Sequence, residues 1–79
     1  MKLVNSWLAS FLMPKLPSSR EIIAVLLAHG FIKNSQKGSH QKYCKGNHTV
    51  IVPSPKKEIP IGTLQSIIKQ AGLTRDDFY

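Results

Sequence analysis

The stretch from residue 37 to residue 43 brings together residue types that could act on a phosphodiester. It reads Lys-Gly-Ser-His-Gln-Lys-Tyr, so a single histidine follows a glycine and a serine, with a lysine on each side. The ordinary pKa of a histidine side chain is about 6.5, so this residue type can both accept and donate a proton near neutral pH. Such a proton shuttle is the minimum equipment for metal-free RNA cleavage, since the 2′-hydroxyl of RNA can act as the nucleophile. His40 is therefore the candidate catalytic residue.

Lysines are concentrated around this stretch. Residues 33–57 contain no aspartate or glutamate, and Glu58 ends the run. If the fold brings the ammonium groups to one side, they create a positive potential that attracts a phosphate backbone, and binding then weakens as salt is added. The lysines of this run are Lys33, Lys37, Lys42, Lys45, Lys56 and Lys57.

Four of these lysines are candidates for contacts with a bound substrate. Lys37 and Lys42 flank His40 in the sequence, so they are the first choice for phosphate contacts. The adjacent pair Lys56 and Lys57 comes next. For any single lysine, a solvated charged surface is an equally good interpretation.

Gly38 and Ser39 are the remaining candidates for substrate binding. Gly38 has no Cβ, which permits a tight turn and the close approach of a phosphate, and the Ser39 hydroxyl could stabilise charge on that phosphate. The structural interpretation makes Gly38 a turn residue, Ser39 a strand-edge hydroxyl and His40 an exposed strand residue. On spacing alone, that structural interpretation is the better one.

The composition predicts one small domain with an anionic partner. A chain of 79 residues buries only about 60% of its unfolded surface, so a deep cleft or a second domain is not expected. The formal net charge of +7 comes from 11 Lys and Arg against four Asp and Glu. Nucleic acid, an anionic membrane surface and an acidic protein would each satisfy this charge.

The sequence favours a cytoplasmic protein without a membrane partner. Cys44 is the single cysteine, which excludes an internal disulfide framework and is typical of a reducing compartment. No apolar run approaches the roughly 20 residues of a membrane-spanning helix. The N-terminal apolar stretch is interrupted by polar residues and has no cleavage site, so it does not fit a signal peptide.

Residues 13–79 form the predicted domain, and residues 1–12 stand apart from it. Apolar residues recur in 1–12 at spacings of three and four, which is typical of a short amphipathic helix. Pro14 and Pro17 then interrupt any helix. Two interpretations of 1–12 stay open: an extension or an upstream mis-assigned start, or a segment whose apolar stripe docks on a partner or on the domain itself.

A capping signal predicts the first helix, from Ser19 to His29. Ser18 and Glu21 have the spacing of a capping box. Gly30 supplies the left-handed residue that ends the helix. The buried stripe is predicted to comprise Ile22, Ile23, Leu26 and Leu27.

Three short antiparallel strands follow the first helix in a meander. Side chains alternate along a strand, so Tyr43 lies on one face of the sheet while His40 and Lys42 lie on the other. If Tyr43 packs into the core, His40 faces outwards. His48 is expected to be an exposed residue at a turn edge. The predicted strands are 31–36, 39–45 and 48–53, with turns at 37–38 and 45–47.

A second helix and a last turn complete the pattern. Apolar residues recur at helical spacing over 61–71, and Gly72 ends that helix. Thr74 and Asp77 have the spacing that caps one final turn. The order predicts an α+β domain, helix-strand-strand-strand-helix, in which two helices cover one face of a three-stranded antiparallel sheet. The opposite face is left open to solvent, and His40 belongs to it.

Four blocks of the sequence, taken in order, are similar to a known protein family. Lys-Gly-Ser-His at 37–40 is followed by Val-Ile-Val-Pro at 50–53, by Lys-Glu-Ile-Pro-Ile-Gly-Thr-Leu at 57–64 and by Ile-Ile-Lys-Gln-Ala-Gly-Leu at 67–73. Together they resemble the HicA toxins, small mRNA interferases of bacterial and archaeal toxin-antitoxin pairs. The resemblance covers most of the chain and is far more specific than a Gly-Ser-His tripeptide.

This resemblance implies a fold, an activity and a partner. The fold is like that of a double-stranded-RNA-binding domain, with the order of elements given above. The activity is that of a type II toxin that acts as a metal-independent mRNA interferase, with His40 as the catalytic histidine. The partner is a HicB-like antitoxin that covers this histidine. Family members commonly begin at a sequence like that of residues 13–17, so residues 1–12 depart from the pattern.

Two other functions stay open on the sequence. A non-catalytic module with a double-stranded-RNA-binding fold would read duplex shape through backbone and 2′-hydroxyl contacts without cutting. An interaction protein would use its basic face only to hold an acidic partner. No cofactor is expected, and a zinc site is poorly supported because His40, Cys44 and His48 lack a convincing ligand spacing.

Overall fold

The computed structural model of this chain describes residues 16–78. The helix predicted over residues 1–12 lies outside this range. The elements occur in the predicted order, so the α+β fold with a helix-strand-strand-strand-helix arrangement is confirmed. They are α1 Ser19–Ala28, β1 Ile32–Lys37, β2 His40–Lys45, β3 His48–Pro53, α2 Ile61–Ala71 and a 3₁₀ helix Arg75–Asp77.

The three strands form an antiparallel sheet with β2 in the centre. Two-residue turns at 38–39 and 46–47 connect them, and each begins with a glycine, with φ of +59° and +56°. Tight hairpin turns favour glycine at this position because their backbone twist matches that of the strands. The first turn lies one residue later than predicted, because Lys37 pairs with His40 and leaves Ser39 in the turn.

Both helices pack on one face of the sheet and form the core with it. Tyr43, Val50 and Val52 project from this face and are almost completely buried, so the prediction that Tyr43 enters the core is confirmed. Burial raises the pKa of the Tyr43 hydroxyl, which donates a hydrogen bond of 2.7 Å to Gln41 Oε1. The core comprises Ile22, Leu26, Phe31, Tyr43, Val50, Val52, Ile59, Leu64, Ile67, Ala71 and Phe78.

The helix ends follow the predicted signals. The main-chain N–H of Glu21 donates to Ser18 Oγ at 3.1 Å, and the N–H of Ser18 donates to Glu21 Oε1 at 2.8 Å. This reciprocal pair is the predicted capping box, and it satisfies amides that would otherwise lack partners at the start of α1. Gly72 has φ of +68° and ends α2 in the left-handed conformation, as predicted.

The apolar stripe of α1 is narrower than predicted. Leu26 is fully buried, whereas Leu27 is 52% exposed. Successive residues of an α-helix are about 100° apart around its axis, so one side chain of such a pair faces the sheet and the next turns away. Within residues 16–78, no helix is both long enough and apolar enough to cross a membrane.

Candidate active site

His40 is the first residue of β2 and lies beside the turn at 38–39. Its cross-strand partners are Lys37 on β1 and Pro53 on β3. Because Tyr43 points into the core and side chains alternate along a strand, His40 projects from the opposite face. Its side chain is exposed, so the predicted outward orientation is confirmed.

A β-bulge in β1 brings Lys37 to the face that carries His40. The register of β1 against β2 shifts between Lys33 and Ser35. Lys33 pairs with Tyr43 on the helix-covered face, whereas Lys37 pairs with His40 on the open face. Directly paired residues share a face, and an unbroken strand would put residues 33 and 37 on the same one. The extra residue of the bulge therefore delivers Lys37 to His40.

Lys42 is the second predicted lysine on the open face. It follows His40 by two residues on β2, and its partners across the sheet are Ser35 and Ile51. Alternate residues of a strand are about 7 Å apart, which the long side chain of a lysine can span. A phosphate bound at His40 is therefore within reach of the Lys42 ammonium group.

The turn before β2 contains a left-handed residue, Gly38. A Cβ on Gly38 would meet no atom within 4 Å, but its φ of +59° is left-handed. Glycine is thus favoured there by conformation and not by lack of space. The Ser39 carbonyl oxygen accepts a hydrogen bond of 2.6 Å from the Ser54 N–H. This bond ties the turn to the segment after β3 that carries the other two predicted lysines.

Lys56 and Lys57 differ in whether they line the groove that contains His40. Lys56 lines the same groove as His40. Lys57 instead lines a second cleft, which includes Arg20 at the start of α1 and which Lys56 also borders. Three of the four predicted lysines are thus brought to His40, and Lys57 is not.

Ser19 holds the main chain of Lys56 in place. The Ser19 side chain is buried, and its Oγ accepts a hydrogen bond of 3.0 Å from the Lys56 N–H and donates one of 3.3 Å to the Lys56 carbonyl oxygen. The Ser19 N–H donates a further bond of 3.0 Å to the same carbonyl. Sequence reasoning missed this role because the two residues are 37 positions apart.

The groove beside His40 has a volume of about 390 Å³ and lies between β3 and α2. Its strand side includes Ile51 and Pro53, and its helix side includes Thr63, Ser66 and Gln70. These three polar residues recur at spacings of three and four, which places them on one side of the helix. Sequence reasoning followed only the apolar stripe of α2 and missed this polar one.

Gln70 fixes one wall of the groove to the other. Its Oε1 accepts a hydrogen bond of 3.3 Å from the Ile51 N–H, and its carbonyl oxygen lies 3.1 Å from His48 Nδ1. The N–H groups along the edge of a sheet need acceptors, and Gln70 supplies one to β3. The helix is thereby held along the strand, and the groove between them keeps its width.

The other two histidines contact other parts of the protein. His48 is exposed, as predicted, but its Nδ1 lies within hydrogen-bonding distance of the Gln70 carbonyl oxygen. His29 Nε2 lies 3.8 Å from Asp77 Oδ1. Within residues 16–78, His40 has no side-chain hydrogen bond or ion pair. No residue of 16–78 therefore competes with a substrate for its two ring nitrogens.

Both helices begin at the His40 end of the sheet. Ser19 at the start of α1 contacts Lys56, and Thr63 in the first turn of α2 lines the groove. The N-terminus of α2 has no side-chain cap on Pro60. A helix N-terminus carries a partial positive charge of about half an elementary charge. The helix dipoles therefore add to the positive charge of the lysines.

Metal ligands are not clustered near His40. Within the described range, 16–78, no group of three or more His, Cys, Asp or Glu side chains could hold a metal ion. Cys44 is a half-buried free thiol whose Sγ lies 3.8 Å from Thr49 Oγ1. The residues that the fold brings together at the candidate site are His40, three lysines and the lining of the groove that His40 and Lys56 share.

Comparison with known protein families supports the resemblance found in the sequence. The family model described as the HicA toxin of bacterial toxin-antitoxin systems matches residues 19–73, which is more than half of the chain. No curated protein matches the chain. The matched region runs from the start of α1 to just beyond the end of α2, so it contains the whole of the candidate site. This chain therefore belongs to the HicA toxin family of bacterial toxin-antitoxin systems.

Proposed function

We propose that this chain cleaves mRNA as a metal-independent endoribonuclease, the toxin of a type II toxin-antitoxin pair, with His40 as its catalytic residue. The observation that carries the proposal is the setting of His40. This side chain is exposed, lies opposite Lys37, and has no partner within residues 16–78. Family membership supports a toxin, and the basic surroundings of His40 support an RNA target.

The proposed reaction is an attack of the ribose 2′-oxygen on the neighbouring phosphorus. His40 accepts the proton of the 2′-hydroxyl, the P–O2′ bond forms and the P–O5′ bond breaks. The O5′ leaving group takes up a proton from the histidine or from water. The products are a 2′,3′-cyclic phosphate and a 5′-hydroxyl. One histidine cannot easily make both proton transfers at once, so we expect slow turnover.

The lysines stabilise the charge that develops on the phosphate. Lys37 and Lys42 share the open face with His40, and Lys56 approaches from the groove. Fixed positive charges around a reacting phosphate contribute to catalysis because they are already oriented when charge develops. Lys57 lies in the second cleft, so we assign it to a phosphate further along the RNA.

The turn before His40 keeps the approach to the histidine clear. Gly38 carries no Cβ, and the space where one would lie is empty to 4 Å. A phosphate can therefore come close to the backbone of this turn, and the Ser39 hydroxyl can donate a hydrogen bond to it.

A HicB-like antitoxin is the proposed inhibitor. The open face around His40 is basic, and it also exposes Ile51 and Ile32, which are 37% and 71% accessible. A protein partner with an acidic rim and an apolar centre would match this face in charge and in hydrophobicity. Such a partner would cover His40 and exclude RNA.

The test is RNA cleavage in the presence of EDTA by the wild type, by His40→Ala and by His29→Ala. We expect the His40→Ala variant to lose roughly 10²- to 10⁴-fold in rate, the contribution of a positioned acid or base. His29→Ala is the matched control, because it removes a histidine from the far end of the sheet. The wild-type products should carry 2′,3′-cyclic phosphate and 5′-hydroxyl ends.

Other outcomes reject the proposal in different ways. Equal cleavage by the wild type and by His40→Ala would point to a contaminating nuclease. RNA binding without cleavage by any of the three proteins would favour the non-catalytic binding module. Binding of an acidic protein without measurable RNA affinity at low salt would favour the interaction protein.

A further inference from the structure

Several polar groups of the groove beside His40 are not used by the fold. Within residues 16–78, the hydroxyls of Thr63 and Ser66 make no side-chain hydrogen bond. Gln70 is different, because its Oε1 accepts a bond from the Ile51 N–H. That bond sets the orientation of the amide and leaves the Nε2 hydrogens as donors towards the groove. The helix side thus offers one fixed donor and two adaptable hydroxyls.

The opposite side and one end of the groove have a different chemistry. Ile51 and Pro53 supply apolar surface on the strand side. His40 and Lys56 lie in the same groove and carry the groups that would meet ribose and phosphate. An apolar side, hydrogen-bonding groups opposite it and a lysine in the same groove together match the parts of a nucleotide, which are a base, a sugar and a phosphate.

We infer that this groove binds one unpaired nucleobase of the RNA strand, next to the phosphate that lies at His40. The inference rests on the proposed function, and it names the feature that selects the cleavage position. The volume of about 390 Å³ is in the range of small-molecule sites, about 300–1,000 Å³. The wall from Thr63 to Gln70 spans seven helical steps of about 1.5 Å each, or about 10.5 Å. These dimensions fit a single nucleotide.

A base inside a duplex does not meet these requirements. Its hydrogen-bonding edge is paired and both of its faces are stacked, so neither is free to enter a groove. The proposed site therefore favours single-stranded RNA, even though the fold is like that of a duplex-binding domain. Specificity comes from Thr63, Ser66 and Gln70, while Lys37 and Lys42 hold the backbone without regard to sequence.

The experiment uses four short 2′-O-methyl RNA homopolymers, one for each base, with the full-length protein labelled with ¹⁵N. Methylation blocks the attacking oxygen, so binding is measured without cleavage. We expect amide shifts at Thr63, Ser66 and Gln70, and a preference for one base over the others. The double variant Thr63→Val/Ser66→Ala should weaken binding of the preferred strand by about 5- to 30-fold and flatten the preference.

The control is Gln65→Ala, a polar-to-alanine change at an exposed position of α2 that does not line the groove. It should leave both affinity and base preference unchanged. The groove inference is overturned if the shifts spread over β1 without touching α2, if the double variant keeps the wild-type preference, or if a duplex binds more tightly than a strand.

Cleavage of unmodified RNA separates this inference from the proposed function. Base-selective binding in the groove by a wild type that does not cut RNA would reject the nuclease and keep the groove. Cleavage by the wild type at sites that the double variant reproduces would keep the nuclease and reject the groove. The purified variants must also give wild-type circular dichroism, so that a loss of fold is not read as a loss of recognition.

Discussion

The two ends of the sheet carry similar residues and use them differently. Where the helices end, Lys45 Nζ donates a hydrogen bond of 2.6 Å to the His29 carbonyl oxygen, and His48 Nδ1 lies 3.1 Å from the Gln70 carbonyl oxygen. Where the helices begin, His40 has no such partner within residues 16–78. We call the first the closed end, with residues 29, 45, 48 and 70–77, and the second the open end, with residues 37–42, 53–56 and 60–63.

The difference follows from the direction of the helices. The last carbonyl groups of a helix lack partners within it and carry partial negative charge, so nearby cations and N–H donors satisfy them. The first N–H groups carry partial positive charge and give a cation nothing to bind. At the closed end, Lys45 and His48 therefore contact carbonyl groups at the helix ends. At the open end, His40 has no such partner in the described part of the chain and can bind an anion. Position relative to the helix ends, and not residue type, distinguishes the two groups.

The largest expected effect on stability comes from substituting a glycine at each end. In Gly72→Ala, the new Cβ would lie 2.7 Å from His48 Cε1 at a residue with φ of +68°. Backbone strain should lower the free energy of unfolding by about 1–2 kcal/mol. Displacing the exposed His48 ring from its contact with the Gln70 carbonyl oxygen should cost about 0.5–1.5 kcal/mol more. Gly38→Ala has φ of +59° and nothing within 4 Å, so it should lose only the backbone term, about 1–2 kcal/mol.

Urea denaturation followed by circular dichroism checks this difference. Equal losses for the two glycine variants would contradict the close contact between His48 and the end of α2. A Gly72→Ala variant in the background of His48→Ala should recover part of the lost stability, because the second change removes the ring that the Cβ meets.

The next effect concerns Ser19, which secures the open end. Ser19→Ala leaves the Lys56 N–H without its side-chain acceptor and should lower the free energy of unfolding by about 1–3 kcal/mol. It should also weaken RNA binding, since Lys56 loses one of its anchors. Ser35→Ala, at an exposed position of β1, is the control and should stay within about 0.5 kcal/mol of the wild type. Wild-type stability in Ser19→Ala would show that Lys56 does not depend on this clamp.

The parts of the molecule that the sequence predicted correctly depend on neighbours a few residues apart. Ser18 and Glu21 form a cap through a spacing of three, and Gly72 ends a helix through its own backbone conformation. The outward direction of His40 follows from strand alternation once Tyr43 is in the core. These features depend on local hydrogen bonds, backbone conformation and strand alternation, so they can be predicted from short-range patterns in the sequence.

The parts that the sequence did not predict depend on pairs that are distant in the chain. The bulge between Lys33 and Ser35 is a property of the register with β2 and has no residue signature. The clamp between Ser19 and Lys56 spans 37 positions. The polar side of α2 becomes a groove wall only because Gln70 meets the edge of β3. Each of these features needs the assembled fold to exist.

Two lysine variants should change different properties. Lys45→Met at the closed end should change stability, and Lys37→Met at the open end should change RNA binding. Lys45→Met removes the bond to the His29 carbonyl and a contact 6.0 Å above the Phe31 ring. It should cost about 1 kcal/mol of stability, because the side chain is exposed and screened. Lys37→Met should leave stability within about 0.5 kcal/mol and should reduce RNA affinity, with the slope of log K against log salt smaller by about 0.7.

Salt titrations of RNA binding give the salt slope of each lysine variant. Urea denaturation gives the free energy of unfolding of each. The comparison is contradicted if Lys45→Met changes the salt slope as much as Lys37→Met does. It is also contradicted if Lys37→Met unfolds at a lower urea concentration than Lys45→Met, because that would make Lys37 a structural cation.

The smallest expected effect is a pH dependence of folding stability that arises from Asp77 at the closed end. Hydrogen bonds from the main chain and the hydroxyl of Thr74, at 2.8 and 3.0 Å, hold the pKa of Asp77 below its usual value, and His29 contributes to the same shift. The folded chain therefore binds this proton less tightly than the unfolded chain does. The resulting stability is fully present above the unfolded pKa, about 4, and is lost as the pH falls through the lowered folded pKa.

Replacing this carboxylate should remove that part of the acid dependence. Asp77→Asn should be less stable than the wild type at pH 6, and the gap should close as the pH falls below about 4. Glu58→Gln makes the same charge change on the lysine-rich side of the chain and should not reproduce this pattern. Thermal unfolding from pH 2 to pH 7 measures the gap. His40→Ala should leave the gap unchanged, because His40 lies at the other end of the sheet and its side chain bonds to no side-chain or main-chain group of residues 16–78. A narrower gap in that variant would mean that the two ends are coupled.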